Sequence, residues 1–328
     1  MTTHHPIEEN RPLVSIAMCT YNGERFLRQQ LNSLLEQDYH PLEIIVVDDQ
    51  STDSTWEILQ EYAEQSDLFN IARNDSNLGY VKNFEKALTL CTGDYIALCD
   101  QDDIWLPNKI STQLAKIGDS SLTYSELSYI DGNNHPIEMP ARKTNRLSGR
   151  CPLALLFATC VTGHLALLKR EVLDHALPFP KRIRAHDHWI PFVAAALNGI
   201  KPTDHILSLY RVHEHNVSIK SRNRKRKGPL ARARERKIAF NTKWKYRMDF
   251  LQYAKQTGLL TSEEQHIAEQ LETALEKHPK SIVNRSVRST LLDHSGQLLS
   301  LYKKKSKIVK RLSHGGVYFS LTLYQKKP

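Results

Sequence analysis

Three carboxylates, Asp100, Asp102 and Asp103, fall within four positions of the stretch "GDYIALCDQDDIWLPNKI". Like charges this close raise one another's pKa unless something positive sits among them. The run before them, Tyr95 to Cys99, is apolar, so the cluster stands at the end of a buried strand. A carboxylate–X–carboxylate element there is a natural seat for Mg²⁺ or Mn²⁺, which prefer oxygen ligands and keep positions open for water and phosphates. In an extended chain Asp100 and Asp102 project to one side. A cation held there would bridge a diphosphate and neutralise the charge gathering on it as a leaving group. Asp103, just ahead of "IWLPNKI", is expected to cap a helix.

The elements that must position these groups are legible upstream. "LVSIAMC" (13–19) reads as a strand, and Leu27, Leu31, Leu34 and Leu35 follow at helical spacing. "LEIIVVDD" is a nearly continuous apolar strand, as expected where a parallel sheet is covered on both faces. "STDSTWEILQEYAEQ" is a capped helix, "LFNIAR" a weaker strand, "YVKNFEKALTLC" a helix and "DYIALC" a strong strand. This alternation predicts an α/β layer with a parallel sheet, whose ligands bind beyond the carboxyl ends of the strands. The strand ends deliver Thr20 to Gly23, Asp48 and Asp49, Asn74 to Gly79, and Asp100 to Asp103, all to one rim. Singly each is a turn or a cap; together they predict a binding edge. From Ser120 onward "LTYSELSYI", "GHLALLKR" and "HILSLYRVH" read as strands, and "CPLALLFATC" and "HDHWIPFVAAALNG" as helices.

The chain of 328 residues, 40% hydrophobic and 25% charged, has the composition of a folded globular protein. Its polar start, "MTTHHPIEEN", is not expected to be a signal peptide, and Cys151 to Leu168 suits a buried helix and strand better than a membrane span. Five cysteines (Cys19, Cys91, Cys99, Cys151, Cys160) without metal-finger spacing are expected to be reduced thiols of a cytoplasmic protein. Charge divides the chain in two. Residues 1–219 carry 19 Lys+Arg against 28 Asp+Glu, a net −9, whereas residues 220–328 carry 26 against 8, a net +18.

"VSIAMCTYNGERFLRQQLNSLLEQDYHPLEIIVVDDQSTDST", "NLGYVKNFEKAL" and "GDYIALCDQDDIWLPNKI", in this order, resemble glycosyltransferase family 2. Within it, "DQDDIWLPNK", "LPFPKRIRAHDHW" and "LYRVHEHNVS" resemble the bacterial rhamnosyltransferase-like branch. An apolar strand followed by Asp-X-Asp also opens haloacid-dehalogenase phosphatases, but their later Gly-Asp-x-x-x-Asp element is absent here. The resemblance covers roughly residues 12–220. It implies the GT-A fold, a mostly parallel sheet flanked by helices, with a nucleotide-binding half over about 12–118 and an acceptor-binding half over 119–220. It implies an inverting, metal-dependent transfer of a sugar, L-rhamnose from dTDP-L-rhamnose being the donor it suggests, to a cell-surface polysaccharide or lipid-linked glycan precursor. Thr20, Tyr21 and Asn22 would line the nucleotide pocket, and Asp49 would contact the base or ribose while Asp48 is structural. Asn77 and Gly79 would form a loop at the nucleotide, with Lys82 on the diphosphate. Asp100 would face the ribose beside Gln101. Asp102, and His213 as a late ligand, would hold a divalent cation, Mn²⁺ or Mg²⁺. Asp187, opening an apolar helix, would be the base that deprotonates the acceptor hydroxyl. Where relatives carry Trp this chain has His188, so its acceptor contacts are expected to differ. The Gln-x-x-Arg-Trp element of processive synthases is absent, which implies addition of one or a few sugars. The competing reading is a catalytically silent scaffold that binds nucleotide-sugar or glycan on the same fold.

Residues 221–328 read as a basic helical appendage. Thirteen Lys+Arg lie between Lys220 and Arg247, and "KKKSKIVKRL" repeats the theme. No recognition motif accompanies this charge, so nucleic acid is not the expected partner. Attraction to an anionic membrane surface, on the inner face of the cytoplasmic membrane, fits a lipid-linked acceptor better.

Overall fold

The computed structural model describes residues 11–140, 144–214, 216, 242, 245–276, 285–306 and 308–309. In chain order the α/β part runs β1 (Val14–Thr20), α1 (Glu24–Leu35), β2 (Leu42–Asp48), α2 (Thr55–Gln65), β3 (Phe69–Arg73), α3 (Tyr80–Leu90), β4 (Tyr95–Cys99), β5 (Ile104–Trp105) and α4 (Lys109–Ile117). It continues through β6 (Leu122–Ile130), β7 (Ala166–Lys169), α5 (Glu171–Ala176), α6 (His186–Ala196) and β8 (Ile200–Arg211). A helix over 245–256, here α7, precedes α8 (Ser262–Glu276), α9 (Arg285–Asp293) and α10 (Ser295–Leu298).

The strands form a single mixed sheet in the order β3-β2-β1-β4-β7-β6-β8-β5. β3, β2, β1 and β4 are parallel, so their carboxyl ends do share one edge. β7 then runs antiparallel to both β4 and β6, and β6 pairs parallel with β8. Alternation along the strands feeds two cores. Ile16, Met18, Ile44 and Val46 pack with Leu27, Leu31 and Leu34 of α1, Ile58 and Leu59 of α2, and Ile110 of α4. Ala17, Ile45, Val47 and Leu98 point the other way, into a core with α3, α5 and α6. Both faces of β1 and β2 are thus dry, which is why these strands carry uninterrupted apolar runs.

Two local expectations are corrected. The apolar stretch from Cys151 to Cys160 forms only a short 3-10 turn, Pro152–Leu155, not a helix. Its side chains are buried as core filler from Pro152 to Ala158, and an apolar run without a period does not distinguish that from a helix. Asp103 does not cap a helix: Ile104 and Trp105 pair with Leu209 and Ser208 of β8, and α4 begins only at Lys109. Asp187 lies inside the first turn of α6, whose cap is Ala185.

The 12–220 and 221–328 segments differ in charge, yet the second core runs across that boundary. Tyr246, Phe250, Leu251, Ile267, Leu271, Val287, Leu291 and Leu298 are buried in the same cluster as Trp189 and Phe192 of α6. Most of the basic run after Lys220 lies outside the described residues. The five cysteines are free thiols, as expected.

Candidate active site

The parallel strands end in a dense polar network that takes in most of the expected residues. Asp48 is fully buried and structural: Oδ1 accepts from the Thr20 hydroxyl at 3.0 Å, Oδ2 from the Ser51 amide at 2.9 Å, and Arg73 Nε lies 3.4 Å away. Asp49 faces the next loop. Its Oδ1 accepts from Asn74 Nδ2 (2.8 Å) and the Leu78 amide (2.7 Å), and its Oδ2 from the Gly79 amide (2.8 Å). Asn77 donates to the Asp49 carbonyl at 3.1 Å. Gly79 sits at φ 80° and ψ 152°, a conformation essentially closed to residues with a Cβ, and α3 starts immediately after it. Asp49 therefore shapes the 74–79 loop directly.

Asn22 also has a positive φ, 48°, and its Oδ1 accepts from the Thr52 amide at 2.8 Å. The exposed Tyr21 is clamped by Gln101, whose Oε1 accepts from the Tyr21 amide (2.8 Å) while its Nε2 donates to the Tyr21 carbonyl (3.1 Å). The acidic turn and the end of β1 are thus tied together. Lys82 is exposed and ion-paired with Glu85 on its own helix. The lysine that enters the buried network is Lys86, which donates to Asn74 Oδ1 at 2.8 Å.

The acidic turn does have partners of its own, among them the guanidinium of Arg211. His213 Nε2 lies 2.8 Å from Asp102 Oδ2, and Asn216 Nδ2 donates to the same oxygen at 3.3 Å. The two expected metal ligands, 111 residues apart, are therefore adjacent. Arg211, fully buried, donates Nε to the Asp102 carbonyl (2.9 Å), its amide to Asp103 Oδ1 (3.0 Å) and Nη2 to Gln29 Oε1 (2.6 Å).

His164 had not been singled out from the sequence. Its Nδ1 is 3.2 Å from Asp100 Oδ2 and its Nε2 is 3.6 Å from Asp103 Oδ2. Burial pushes its pKa down, but the charges of Asp103 and Asp100 outweigh this and raise it. Burial likewise pushes Asp100 up, and the His164 hydrogen bond and charge bring it below the ordinary carboxylate range. Asp103 is raised, chiefly by burial. Beneath them the buried Lys109 donates to the His164 carbonyl (3.0 Å) and the Ser208 hydroxyl (3.1 Å), and burial lowers its pKa to about 7. Asp103 Oδ2 and His164 Nε2 are buried with no hydrogen-bond partner among the described residues. Asp100, Asp103 and His164 offer ligand atoms within 4.8 Å of one another, a group that could hold a metal ion.

Asp187 reaches this cluster through Gly163. A Cβ on Gly163 would lie 3.3 Å from the Asp187 Cβ and 3.2 Å from His186 Nε2, so glycine permits the start of α6 to close on the residue next to His164. Burial raises the Asp187 pKa, the His186 imidazole opposes this, and Asp100 adds to the rise. His188, expected at the acceptor, instead points into the core between α6 and α7.

The description "Glycosyl transferase family 2" matches residues 15–177. An uncharacterized glycosyltransferase of Haemophilus influenzae is 40% identical over 222 residues, 64% of this chain and 68% of that protein. The chain belongs to glycosyltransferase family 2. Another uncharacterized glycosyltransferase, from Nostoc, is 30% identical over 62% of this chain and 66% of its own length. The Bacillus subtilis putative teichuronic acid biosynthesis glycosyltransferase TuaG is 34% identical over 36% of this chain, which spans only 47% of TuaG. Among solved structures, S. aureus TarS 1–349 in complex with UDP-GlcNAc superposes with a TM-score of 0.56 at 17% identity, over 86% of this chain and 80% of TarS. Mannosyltransferase PcManGT from Pyrobaculum calidifontis, in complex with GDP-Man and Mn²⁺, gives 0.54 at 18% identity over 92% and 84%. This family 2 glycosyltransferase thus has the GT-A fold, as its sequence implied. No helix among its described residues is long and apolar enough to cross a membrane.

Proposed function

We propose that this glycosyltransferase is an inverting, metal-dependent, non-processive enzyme of polysaccharide biosynthesis. Its donor is a nucleotide-sugar, dTDP-L-rhamnose, and its acceptor a growing cell-surface polysaccharide or lipid-linked glycan precursor. One observation carries this reading: Asp100 binds His164, and Gly163 abuts Asp187, so the donor-side carboxylates and the carboxylate of α6 flank one space. The Mn²⁺ and GDP-mannose of PcManGT and the teichuronic acid pathway of TuaG support it from outside.

Tyr21, Asn22 and Thr20 line the nucleotide side, with Asp49, Asn77 and Gly79 shaping the adjoining loop and Asp100 and Gln101 closing it. Lys82 reaches the diphosphate only by leaving Glu85. The donor set of Asp102 and His213, a carboxylate oxygen and an imidazole nitrogen, fits a hard divalent ion, and Asp103 Oδ2 of the same turn and His164 Nε2 of the 163–165 turn, 3.6 Å apart, have no hydrogen-bond partner among the described residues. Bound there, the ion would supply Lewis-acid neutralisation of the departing nucleoside diphosphate. Asp187 takes the proton of the acceptor hydroxyl, and its raised pKa suits a base working near neutral pH.

The test is calorimetric titration with dTDP-rhamnose, UDP-glucose and UDP-N-acetylglucosamine, with Mn²⁺ or Mg²⁺ and with chelator. Metal-dependent binding of dTDP-rhamnose alone is expected; tighter binding of a UDP-sugar would replace the donor, and binding indifferent to chelator would remove the metal.

The basic run from Lys220 to Arg247 is assigned to an anionic membrane surface, each residue contributing about 1 kcal/mol near the lipid. Cosedimentation with phosphatidylglycerol vesicles that is reversed by high salt is expected. No binding, or binding that salt does not release, would refute it.

A further inference from the structure

The segment carrying Asp187 is held on both sides by a helix from the region whose sequence reads as an appendage. Upstream of Asp187, Arg182 pairs with Asp249 at 3.3 Å. Arg184 donates to the Thr242 carbonyl at 3.1 Å and stacks its guanidinium over Tyr246, 5.3 Å from the ring centroid. The Arg184 carbonyl also accepts from the hydroxyl of Tyr80, at the start of α3. Downstream, His188 places Nε2 2.5 Å from the Leu155 carbonyl and Nδ1 3.0 Å from the Tyr246 hydroxyl, and its ring stacks on Phe250 at 4.3 Å. Thr242, Tyr246, Asp249 and Phe250 follow one another at i, i+4, i+7 and i+8, the spacing of a single helical face.

The hydrogen-bond roles follow from valence. A carbonyl only accepts, so His188 Nε2 carries the proton, Nδ1 is the acceptor, and the Tyr246 hydroxyl donates to it. Both ring nitrogens are engaged, and the imidazole is locked between α7 and the 152–155 turn. Asp187 is the neighbouring residue on the same helical turn.

We propose that His188 and Tyr246 are a positioning pair, through which α7 sets the orientation of the Asp187 carboxylate. This rests on the reading of Asp187 as the base. Neither residue touches the reacting atoms; the pair fixes the turn that presents Asp187. An error of about 1 Å at a reacting group costs up to about a hundredfold in rate, so a bond that fixes that turn has kinetic weight.

The test is a cycle of Tyr246→Phe and His188→Gln in the full chain. Phenylalanine keeps the ring and removes only the donor; glutamine keeps an amide donor for the Leu155 carbonyl but removes the imidazole, so that with this bond made its single amide oxygen no longer stands where Nδ1 met Tyr246, and the stack on Phe250 is lost as well. Each single variant is expected to lower kcat about tenfold with the donor KM unchanged, and the double variant to be no worse than either. Unchanged kcat, additive losses, or a loss of donor affinity parallel to the loss of kcat would overturn the proposal. A second readout needs no substrate. Hydrogen exchange at the amides of 185–190 should accelerate in each variant while that of β1 and β2 does not. If Asp187→Asn kept near-normal transfer, the base reading would be what had failed. The exchange result would still decide the pair, and equal rates at 185–190 would overturn it.

Discussion

A carboxylate that is to accept a proton near neutral pH must first be moved off its ordinary pKa. Asp187 is moved by burial and by Asp100, with His186 limiting the rise. Asp187→Asn keeps the shape and removes the base, so transfer should fall below detection while calorimetric donor binding survives; near-normal transfer would place the base elsewhere. The wild-type enzyme should also show an acid limb in its rate profile. Only ionised Asp187 can take the proton, so the rate rises with pH, and the limb should lie above the range of an ordinary aspartate. A limb within or below the range of an ordinary aspartate would contradict this.

Residues seen best in the sequence were those whose role is local. Asp102 stood out as a carboxylate in a tight acidic cluster at a strand end, whereas His213, 111 residues from it, was marked only by the family resemblance. Asp49 was visible as a strand-end acid, but the Leu78 and Gly79 amides that claim it were not. His164 and Arg211 were hidden for a different reason. Their partners lie 64 and more than 100 residues away, and nothing in "TGHLALLKR" marks a histidine that will enter the acidic turn. The available signal was only a polar residue inside the longest uncharged stretch.

At the scale of elements, the outcome followed how much of each signal was local. β1, β2 and β4 were readable because a strand buried on both faces must be apolar throughout, or nearly so; β6, with Ser and Glu in its middle, was readable only through its Thr, Tyr and Ile residues. β5 was not, because its two residues are a strand only by pairing with β8. The meeting of α6 with the turn at Gly163 is also a tertiary fact, and it yields a prediction. Gly163→Ala would place a methyl group 3.2 Å from His186 Nε2 and 3.3 Å from the Asp187 Cβ, so the start of α6 must move by a few tenths of an ångström. Rates should fall about tenfold, since near-attack geometry is sensitive to such shifts, while the donor affinity changes little. Wild-type turnover in the alanine variant, measured with the donor that calorimetry selects, would mean that this contact is slack.

At the scale of the whole molecule, the C-terminal helices share one core with α6, and His188 lies in that seam. Full burial brings its pKa down to about 4. An unfolded histidine titrates near 6.5. Between those values the unfolded chain binds the proton and the folded one does not, so stability rises with pH across the window and is lost as pH falls through it. The loss is at most about 3 kcal/mol at pH 4, and it grows no further once the folded state takes up the proton as well. Asp103 works in the opposite sense. Burial holds it above the ordinary carboxylate range, so the folded state keeps a proton that the unfolded chain releases, and stability falls as pH rises through that interval. The wild-type pH profile is therefore a difference of opposing slopes, and only a comparison isolates the histidine. Urea midpoints at pH 7 and pH 4.5 should drop less in His188→Gln than in the wild-type protein. Equal drops would mean that the His188 site admits a proton without strain, and that the seam between α6 and α7 is wetter than its packing indicates.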